Sequence, residues 1–391
     1  MDPTLVPIPV NAPGVLEFNY QRDAIWLLVQ AAGLATPLVL LFTGWGARLR
    51  AACTSLAGKR GYLTLPLLAA AYLTFAAIAV LPFAFVLEIA HRAAWGRPVE
   101  GVAPWLAGRG ISLLVQIAGA AALLWFPYAL IKRMPRWWWL PAAIIAWVAI
   151  SFAVTAEQVW LRPMLTDTRP LPEGPLKNLF DAIAARCHAG DVPVFITDED
   201  IGGTVYGVGP TSRIVFGEEN LGRPQGELIV GFAHELKHYL MNDNWLAFGV
   251  LAVLLLAGAA LVRFAGGAAT VKFGSRFGFT SLADPASLPL IVLILTFAWT
   301  FAGTPIFNLV QQHAELEANR FSLEVTRDSH SDAERLARES RPLAVNEYYW
   351  FFRVFRATHP SAADAARLAN TWRPWETGQA GRYDRVCEPP G

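Results

Sequence analysis

The sequence predicts a mainly α-helical membrane protein with about six transmembrane helices and a polar portion that contains a small β-sheet. Of the 391 residues, 54% are hydrophobic and only 16% are charged, and the mean hydropathy is +0.36. This balance is too apolar for an ordinary soluble protein. The net charge of +1, without a basic and aromatic-rich surface pattern, excludes nucleic acid as an expected partner.

The apolar stretches have the length of transmembrane helices. Each is close to the roughly 20 residues that a helix needs to cross a bilayer, and each is almost free of charge. Three tryptophans at 137–139 open the fourth stretch and are typical of an interfacial aromatic anchor. Pro66 and Pro82 in the second stretch are tolerable, because neighbouring helices can satisfy the freed carbonyl groups. The stretches cover residues 24–44, 63–86, 111–131, 139–156, 245–262 and 288–309.

A polar segment at 161–227 follows the fourth stretch and carries most of the turn-forming and charged residues. After Pro170, apolar residues at helical spacing predict a helix that ends near Cys187. Short runs rich in β-branched and aromatic residues then predict strands. These strand candidates lie at 192–197, 204–207 and 212–216.

Residues 231–240 read GFAHELKHYL, in which His234, Glu235 and His238 form the pattern H-E-x-x-H. Residues four apart share one face of a helix, so both imidazoles can reach one metal ion. Glu235 lies beside the first ligand, where it can polarise a water molecule at that ion. The alternative is a surface helix with two unrelated histidines, which the apolar residues on both sides disfavour. The pattern therefore predicts one Zn²⁺ ion per chain.

A third metal ligand is expected after the last two apolar stretches. Two membrane crossings separate His238 from the helical segment that begins at Gln311, so that segment returns to the same membrane face. Within it, Glu315 and Asn319 are four apart on one helical face, whereas Glu317 points away. We predict that Glu315 binds the metal and that Asn319 hydrogen-bonds a ligand side chain. Alternatively, the two glutamates form a solvated acidic face.

These assignments divide the chain into membrane and catalytic portions that alternate along the sequence. The predicted parts are a membrane region with four spans at 1–160, a catalytic segment at 161–243, a two-span hairpin at 244–310, a second catalytic segment at 311–372 and a loose tail at 373–391.

Further motifs accompany HELKH and E-x-x-A-N, namely LPF at 81–83 followed by Glu88, PLPEG at 170–174, RIVF at 213–216 and THP at 358–360. With them, the chain resembles the integral-membrane zinc metallopeptidases that include the CAAX prenyl endopeptidase and, more distantly, the bacterial heat-shock membrane protease HtpX. The resemblance covers roughly residues 36–372. It implies a zincin-like (gluzincin) catalytic domain, a bound zinc ion and peptide hydrolysis.

The chain departs from this family at several positions. The family usually has a small residue where Lys237 stands and Asp where Asn319 stands, and its Ser-Arg pair is replaced at 311–312 by two glutamines. The Asn-Ala-Tyr stretch that the family uses near bound substrate aligns with 202–204, which reads Gly-Gly-Thr. Six spans are predicted here, whereas the family has seven, so the family's first span has no predicted counterpart in this sequence. Zinc binding survives these departures, whereas specificity for prenylated CAAX substrates does not follow.

The function expected from these residues is that of a membrane-embedded zinc metalloendopeptidase. Glu235 is expected to take a proton from the attacking water and return it to the leaving amine. The resemblance places His359 near the metal, where it can donate to the oxyanion; alternatively, it is only a turn or capping histidine. The polypeptide substrate, membrane proteins included, is expected to pair with the main chain at a sheet edge. The predicted substrate strand contains Thr204, Val205 and Tyr206.

Rival functions remain to be weighed against hydrolysis. A transporter keeps ionisable residues inside the bilayer, yet Glu88 and Glu157 occur only at span ends. A catalytically inactive zinc-binding membrane scaffold needs the ligands but not the base, so an intact Glu235 argues against it. A CAAX-type prenyl-protein processing protease is the alternative within the same chemistry.

Charged residues in the loops indicate which membrane face carries the site. The catalytic segments share a face with the N-terminus, and the loops on the opposite face hold most of the basic residues. Because short basic loops stay in the cytoplasm, we expect a bacterial inner (plasma) membrane protein whose catalytic face is extracytoplasmic. The family resemblance favours the cytosolic side instead. An external face would let Cys187 and Cys387 pair in an oxidising compartment.

Overall fold

The structure, a computed structural model, describes residues 5–339 and 344–388. Within them, six helical segments are long and apolar enough to cross a membrane, which confirms the predicted number of spans. Several segments extend well beyond the apolar stretch that predicted them, because the helix continues into polar sequence. They are Val15–Phe42, Gly61–Ala94, Val102–Arg133, Trp139–Leu165, Asp243–Phe277 and Pro285–Thr326.

The α-helices are numbered in chain order, and some are joined end to end by a single π turn. The helices are α1 (Val15–Phe42), α2 (Trp45–Ala57), α3 (Thr64–Phe85), α4 (His91–Ala94), α5 (Val102–Leu123), α6 (Trp125–Arg133), α7 (Trp139–Ala156), α8 (Arg162–Leu165), α9 (Pro175–Arg186), α10 (Gln225–Met241), α11 (Asp243–Leu261), α12 (Gly267–Phe277), α13 (Leu288–Ala298), α14 (Thr304–Thr326), α15 (Ser329–Glu339), α16 (Trp350–Phe355) and α17 (Ala362–Thr371).

The chain forms two compact units. We call the one made of Leu16–Trp147 and Ala252–Gly303 the membrane unit. Its largest core cluster includes Leu41, Ile131, Phe277 and Leu290, all of which are buried. The other unit consists of Met1–Val15, Val148–Leu251 and Thr304–Gly391, and we call it the sheet unit.

The sheet unit contains a four-stranded sheet with the order β1-β2-β4-β3. The three predicted strands are confirmed as β2 (Val194–Thr197), β3 (Gly203–Tyr206) and β4 (Arg213–Gly217). A short strand that the sequence did not predict, β1 (Arg169–Pro170), pairs antiparallel with β2. Strand β2 runs parallel to β4, and β3 runs antiparallel to β4. Strand β3 therefore lies at an edge of the sheet.

The core of the sheet unit holds the H-E-x-x-H helix, α10, against the sheet and α9. Phe232 of α10 stacks on Phe180 of α9, with ring centroids 4.2 Å apart. Leu236, one turn later on α10, is fully buried together with Ile214 of β4 and Phe321 of α14. Burying each such side chain contributes about 1.5–3 kcal/mol. The same apolar cluster thus orients both helices that carry the predicted metal ligands.

The C-terminal segment is folded, so the expectation of a loose tail is wrong for residues 373–388. Cys387 forms a disulfide with Cys187 of the α9 end. The Glu324 carboxylate accepts the main-chain N–H groups of residues 382 and 383. The Tyr383 hydroxyl donates to Glu317 at 2.7 Å, so Glu317 is buried and not part of a solvated acidic face. These contacts could not be predicted from the polar composition of this segment. Residues 389–391 of the predicted tail lie outside the described residues.

Candidate metal centre

Helix α10 presents its two histidines to a cleft because its opposite face is buried. Leu228, Phe232 and Leu236 recur at four-residue intervals and face the core. His234 and His238 have the same four-residue interval on another face of the helix, as predicted from the pattern. Their side chains are still largely shielded, with 10% and 12% exposed.

Glu315 on α14 completes a cluster with these two histidines. Its Oε2 atom lies 3.1 Å from His234 Nε2, and its Oε1 atom lies 3.6 Å from His238 Nε2. The two Nε2 atoms are 3.2 Å apart. A tetrahedral zinc ion with bonds of about 2.0–2.1 Å keeps its ligand atoms roughly 3.3 Å from one another. The three predicted ligands therefore come together at distances that fit one such ion.

The outer nitrogen of each imidazole shows why this cluster suits a cation. His234 Nδ1 lies 2.9 Å from Asn319 Oδ1, and His238 Nδ1 lies 2.6 Å from Asp243 Oδ2. Both oxygens accept hydrogen bonds, so in the neutral rings the hydrogens reside on Nδ1 and both Nε2 atoms carry lone pairs. Two lone pairs and the Glu315 carboxylate then face each other across about 3 Å. A bound cation converts this mutual repulsion into attraction.

Asp243 and Lys237 belong to the site although the sequence pattern assigned them no role in it. The Lys237 ammonium is buried and donates to Asp243 Oδ2 at 2.6 Å and to the Ala314 carbonyl at 3.1 Å. The Asp243 carboxylate therefore accepts from the His238 ring and from an ammonium group whose positive charge balances its own negative charge. A carboxylate five residues after a predicted ligand was the signal that could have drawn attention to Asp243.

The Glu235 carboxylate is enclosed beside the cluster. Burial raises its pKa above the usual range, and the imidazoles of His234 and His238 offset part of this rise. Gly203 of β3 touches Glu235, since a Cβ atom on Gly203 would lie only 2.7 Å from Glu235 Cγ. A carboxylate with increased affinity for protons thus lies next to the predicted metal ligands.

His359 lies near the cluster, in the loop between α16 and α17. Its Nε2 atom is 3.6 Å from Glu315 Oε1, its Nδ1 atom is 2.9 Å from the Thr358 hydroxyl, and 68% of its side chain is exposed. It is not the cap of α17, because the Ser361 side chain accepts the capping hydrogen bond. The imidazole is therefore available to a molecule in the cleft.

A cleft of about 840 Å³ opens in front of these side chains, and β3 forms part of its wall. Thr204 and Val205 line it, as does Gly203, so most of the predicted substrate strand borders the cleft. Tyr206 was also predicted but lies outside the lining, since its side chain is engaged at the far end of the strand. Its hydroxyl lies 3.4 Å from Arg162 Nη1, which donates to it.

Comparison with known proteins agrees with this geometry. A family model described as Peptidase family M48 matches residues 170–371. The uncharacterized metalloprotease YhfN of Bacillus subtilis (strain 168) is 24% identical over 281 residues, which cover 69% of this chain. The match spans only 65% of the length of that curated relative.

A solved structure shares the overall fold. The crystal structure of S. mikatae Ste24p matches with a TM-score of 0.62 and 14% sequence identity, and the match covers 91% of this chain and 87% of that one. At this identity the likeness concerns the fold alone. It confirms the predicted fold class, which is mainly α-helical with six candidate membrane helices and a small β-sheet.

Proposed function

The chain belongs to peptidase family M48, and from that premise we propose that it is a membrane-embedded zinc metalloendopeptidase. The observation that carries the proposal is the convergence of His234, His238 and Glu315, whose ligand atoms all lie within 4.8 Å of one another. Glu235 adjoins this cluster, and an edge strand borders the same cleft. Hydrolysis of a peptide bond needs these parts together: a metal site, a base and a place to hold an extended chain.

The protein's own residues have distinct roles in this reaction. When bound by His234, His238 and Glu315, Zn²⁺ supplies the positive charge that acidifies water and polarises the substrate carbonyl. Glu235 accepts the proton of the attacking water and passes it to the leaving amine. When the Thr358 hydroxyl, 2.9 Å away, donates to Nδ1, the hydrogen of the neutral His359 ring lies on Nε2, from which it can be donated to the developing oxyanion.

Replacing Glu235 by Gln tests the proposal. The amide cannot accept the proton, so we expect kcat for peptide cleavage to fall by at least about 100-fold while zinc stays bound. The protein is purified in detergent, and its zinc content and its hydrolysis of unfolded polypeptides are measured. Glu317→Gln makes the same change on α14, next to Tyr383, and serves as the control. Turnover near the wild-type value in Glu235→Gln would exclude Glu235 as the base, and a zinc-loaded wild type without hydrolysis would favour an inactive scaffold.

The substrate that we propose is a polypeptide without a lipid group. The Gly-Gly-Thr sequence at 202–204, where the resemblance expects Asn-Ala-Tyr, supports this choice. The family resemblance of the sequence motifs favours the alternative, CAAX-type prenyl-protein processing. Cleavage rates of a farnesylated peptide and its unmodified counterpart distinguish the two. Strong preference for the farnesylated peptide would select the alternative.

We also propose that the sheet unit faces the extracytoplasmic side of a plasma membrane, the inner membrane of a bacterium. The disulfide between Cys187 and Cys387 supports this, because structural disulfides persist in oxidising compartments. The excess of basic residues in the opposite loops supports it independently. Alkaline phosphatase fused after the C-terminus should be active, whereas the same fusion in the loop after Gly58 should not be. Cytoplasmic fluorescence of a C-terminal fluorescent fusion would overturn the assignment.

A further inference from the structure

The free edge of β3 offers hydrogen-bonding groups from alternate residues. Gly217 N–H donates to the Gly202 carbonyl at 3.3 Å, and β3 continues antiparallel to β4 from that point. In an antiparallel ladder, every second residue directs its main-chain groups to the partner strand. Gly203, Val205 and Gly207 therefore direct their N–H and C=O groups away from β4, to the open side of the sheet.

Two side chains already occupy the far part of this edge. The two N–H bonds of the Asn244 amide reach the Val205 carbonyl at 3.1 Å and the Gly207 carbonyl at 2.8 Å. Gln158 Oε1 accepts the Gly207 N–H at 3.4 Å. In the described part of the chain, no partner is found for either main-chain group of Gly203 or for the Val205 N–H. The open part of the edge thus comprises three groups.

The open part of the β3 edge lies next to the proposed reaction centre. The part whose groups are bonded to Asn244 and Gln158 lies further from it. Gly203 is in contact with Glu235, the proposed base. Asn244 follows Asp243 directly at the start of α11, and Asp243 holds the His238 imidazole. The turn that places the Asp243 carboxylate against the metal ligand therefore also brings the Asn244 amide to β3.

We propose that Asn244, aided by Gln158, closes the edge of β3 beyond Val205 and thereby limits the length of substrate that can pair with it. This inference rests on the proposed peptidase function. A substrate strand that continued past Val205 would find its N–H groups opposite carbonyls that are already bonded, and an unpaired buried N–H is costly. The substrate class is accordingly an extended segment of about three paired residues, followed by a chain end or a bend. Unfolded chains and exposed termini fit this description, whereas strands of an intact sheet do not.

A peptide length series tests the limit. Fluorogenic peptides share one cleavage sequence and are extended one residue at a time, at either end. In the wild type, kcat/KM should stop rising after about two added residues at one end and continue to rise at the other. In Asn244→Ala the freed carbonyls can accept substrate N–H groups. The ratio of kcat/KM between long and short peptides at the limited end should then increase roughly three- to tenfold.

Asn242→Gly provides a matched control. Asn242 lies two residues before Asn244, between α10 and α11, and its amide donates to the Leu240 carbonyl of α10 at 3.4 Å. Its φ of 54° is left-handed, which glycine adopts without strain, so the control removes an equivalent amide without affecting β3. Its length profile should match that of the wild type.

The outcomes separate this inference from the proposed function. A wild-type kcat/KM that keeps rising through four residues at both ends, or an unchanged length ratio in Asn244→Ala, would refute the limit while leaving the peptidase assignment intact. No cleavage of any peptide by zinc-loaded wild type would refute the peptidase assignment itself. If Asn244→Ala loses zinc through misfolding, Asn244→Ser replaces it, because serine also lacks the amide that bonds the two carbonyls. The wild type must show the one-sided limit, and Asn244→Ser must relax it.

Discussion

A methyl group added at Gly203 tests whether β3 has to touch the proposed base. An ideal Cβ atom on this residue would lie 2.7 Å from Glu235 Cγ, 2.7 Å from Phe216 Cε1 and 2.9 Å from Glu235 Oε1. Both neighbours are buried, so neither can turn away into solvent. Gly203→Ala must therefore separate the strand from the carboxylate.

The size of the effect follows from these distances. Carbon atoms in ordinary contact are about 3.5–4.0 Å apart, so the strand and Glu235 must separate by roughly 1 Å. Overpacking of this kind costs about 1–3 kcal/mol of folding free energy. A misplacement of about 1 Å in an active site reduces the rate about 100-fold. The metal ligands are not among the atoms that the added methyl group would meet most closely, so the zinc content should be unchanged.

The assay compares Gly203→Ala with Gly190→Ala, a control in the exposed loop between α9 and β2, away from the cleft. No atom lies within 4 Å of a Cβ atom at Gly190, and neither glycine has a left-handed φ. Measurements are kcat/KM for an unstructured peptide, bound zinc and the unfolding temperature. We expect Gly190→Ala to stay within about twofold of the wild type, because surface substitutions are nearly neutral. If Gly203→Ala also keeps its kcat/KM within that range, close contact between β3 and Glu235 is unnecessary and the reasoning is refuted.

Three further predictions concern the metal centre and the disulfide. Glu315→Ala should lose zinc whereas Glu317→Ala should retain it, because Glu315 is in the cluster and Glu317 hydrogen-bonds Tyr383 instead. Equal loss of zinc from both variants in a metal assay would show that the wrong face of α14 is assigned. Asp243→Asn should weaken zinc affinity roughly 10- to 100-fold, because the His238 imidazole loses the carboxylate that orients it. An unchanged Kd for zinc in a chelator competition would contradict this. Cys187→Ser should lower the free energy of unfolding by about 2–5 kcal/mol, since the disulfide closes a loop with a sequence separation of 200. Denaturant unfolding of the wild type with and without reductant should show a loss of the same size. Identical unfolding curves with and without reductant would count against the bond.

The sequence alone was sufficient for features that depend on local spacing. Helical geometry places residues four apart on one face whatever surrounds them, so the spacing of His234 and His238 was enough to predict that their imidazoles lie together. The spans were predictable for a similar reason, because the bilayer dictates a length of uncharged helix. Glu315 was predictable only by adding a topological argument, namely that two crossings return the chain to the same membrane face. Each of these conclusions follows from a periodicity or a length.

Tertiary structure alone decided which polar groups support the site. Asp243 reaches His238 because Asn242, with its left-handed φ, ends α10 and α11 begins at the next residue. The buried Lys237 ammonium donates a hydrogen bond to the Ala314 carbonyl of α14, which is distant in sequence. A hydrogen bond depends on distances of a few tenths of an ångström and on the direction of its donor. Such distances are set by how helices and strands pack, and residue spacing along the chain carries no information about them.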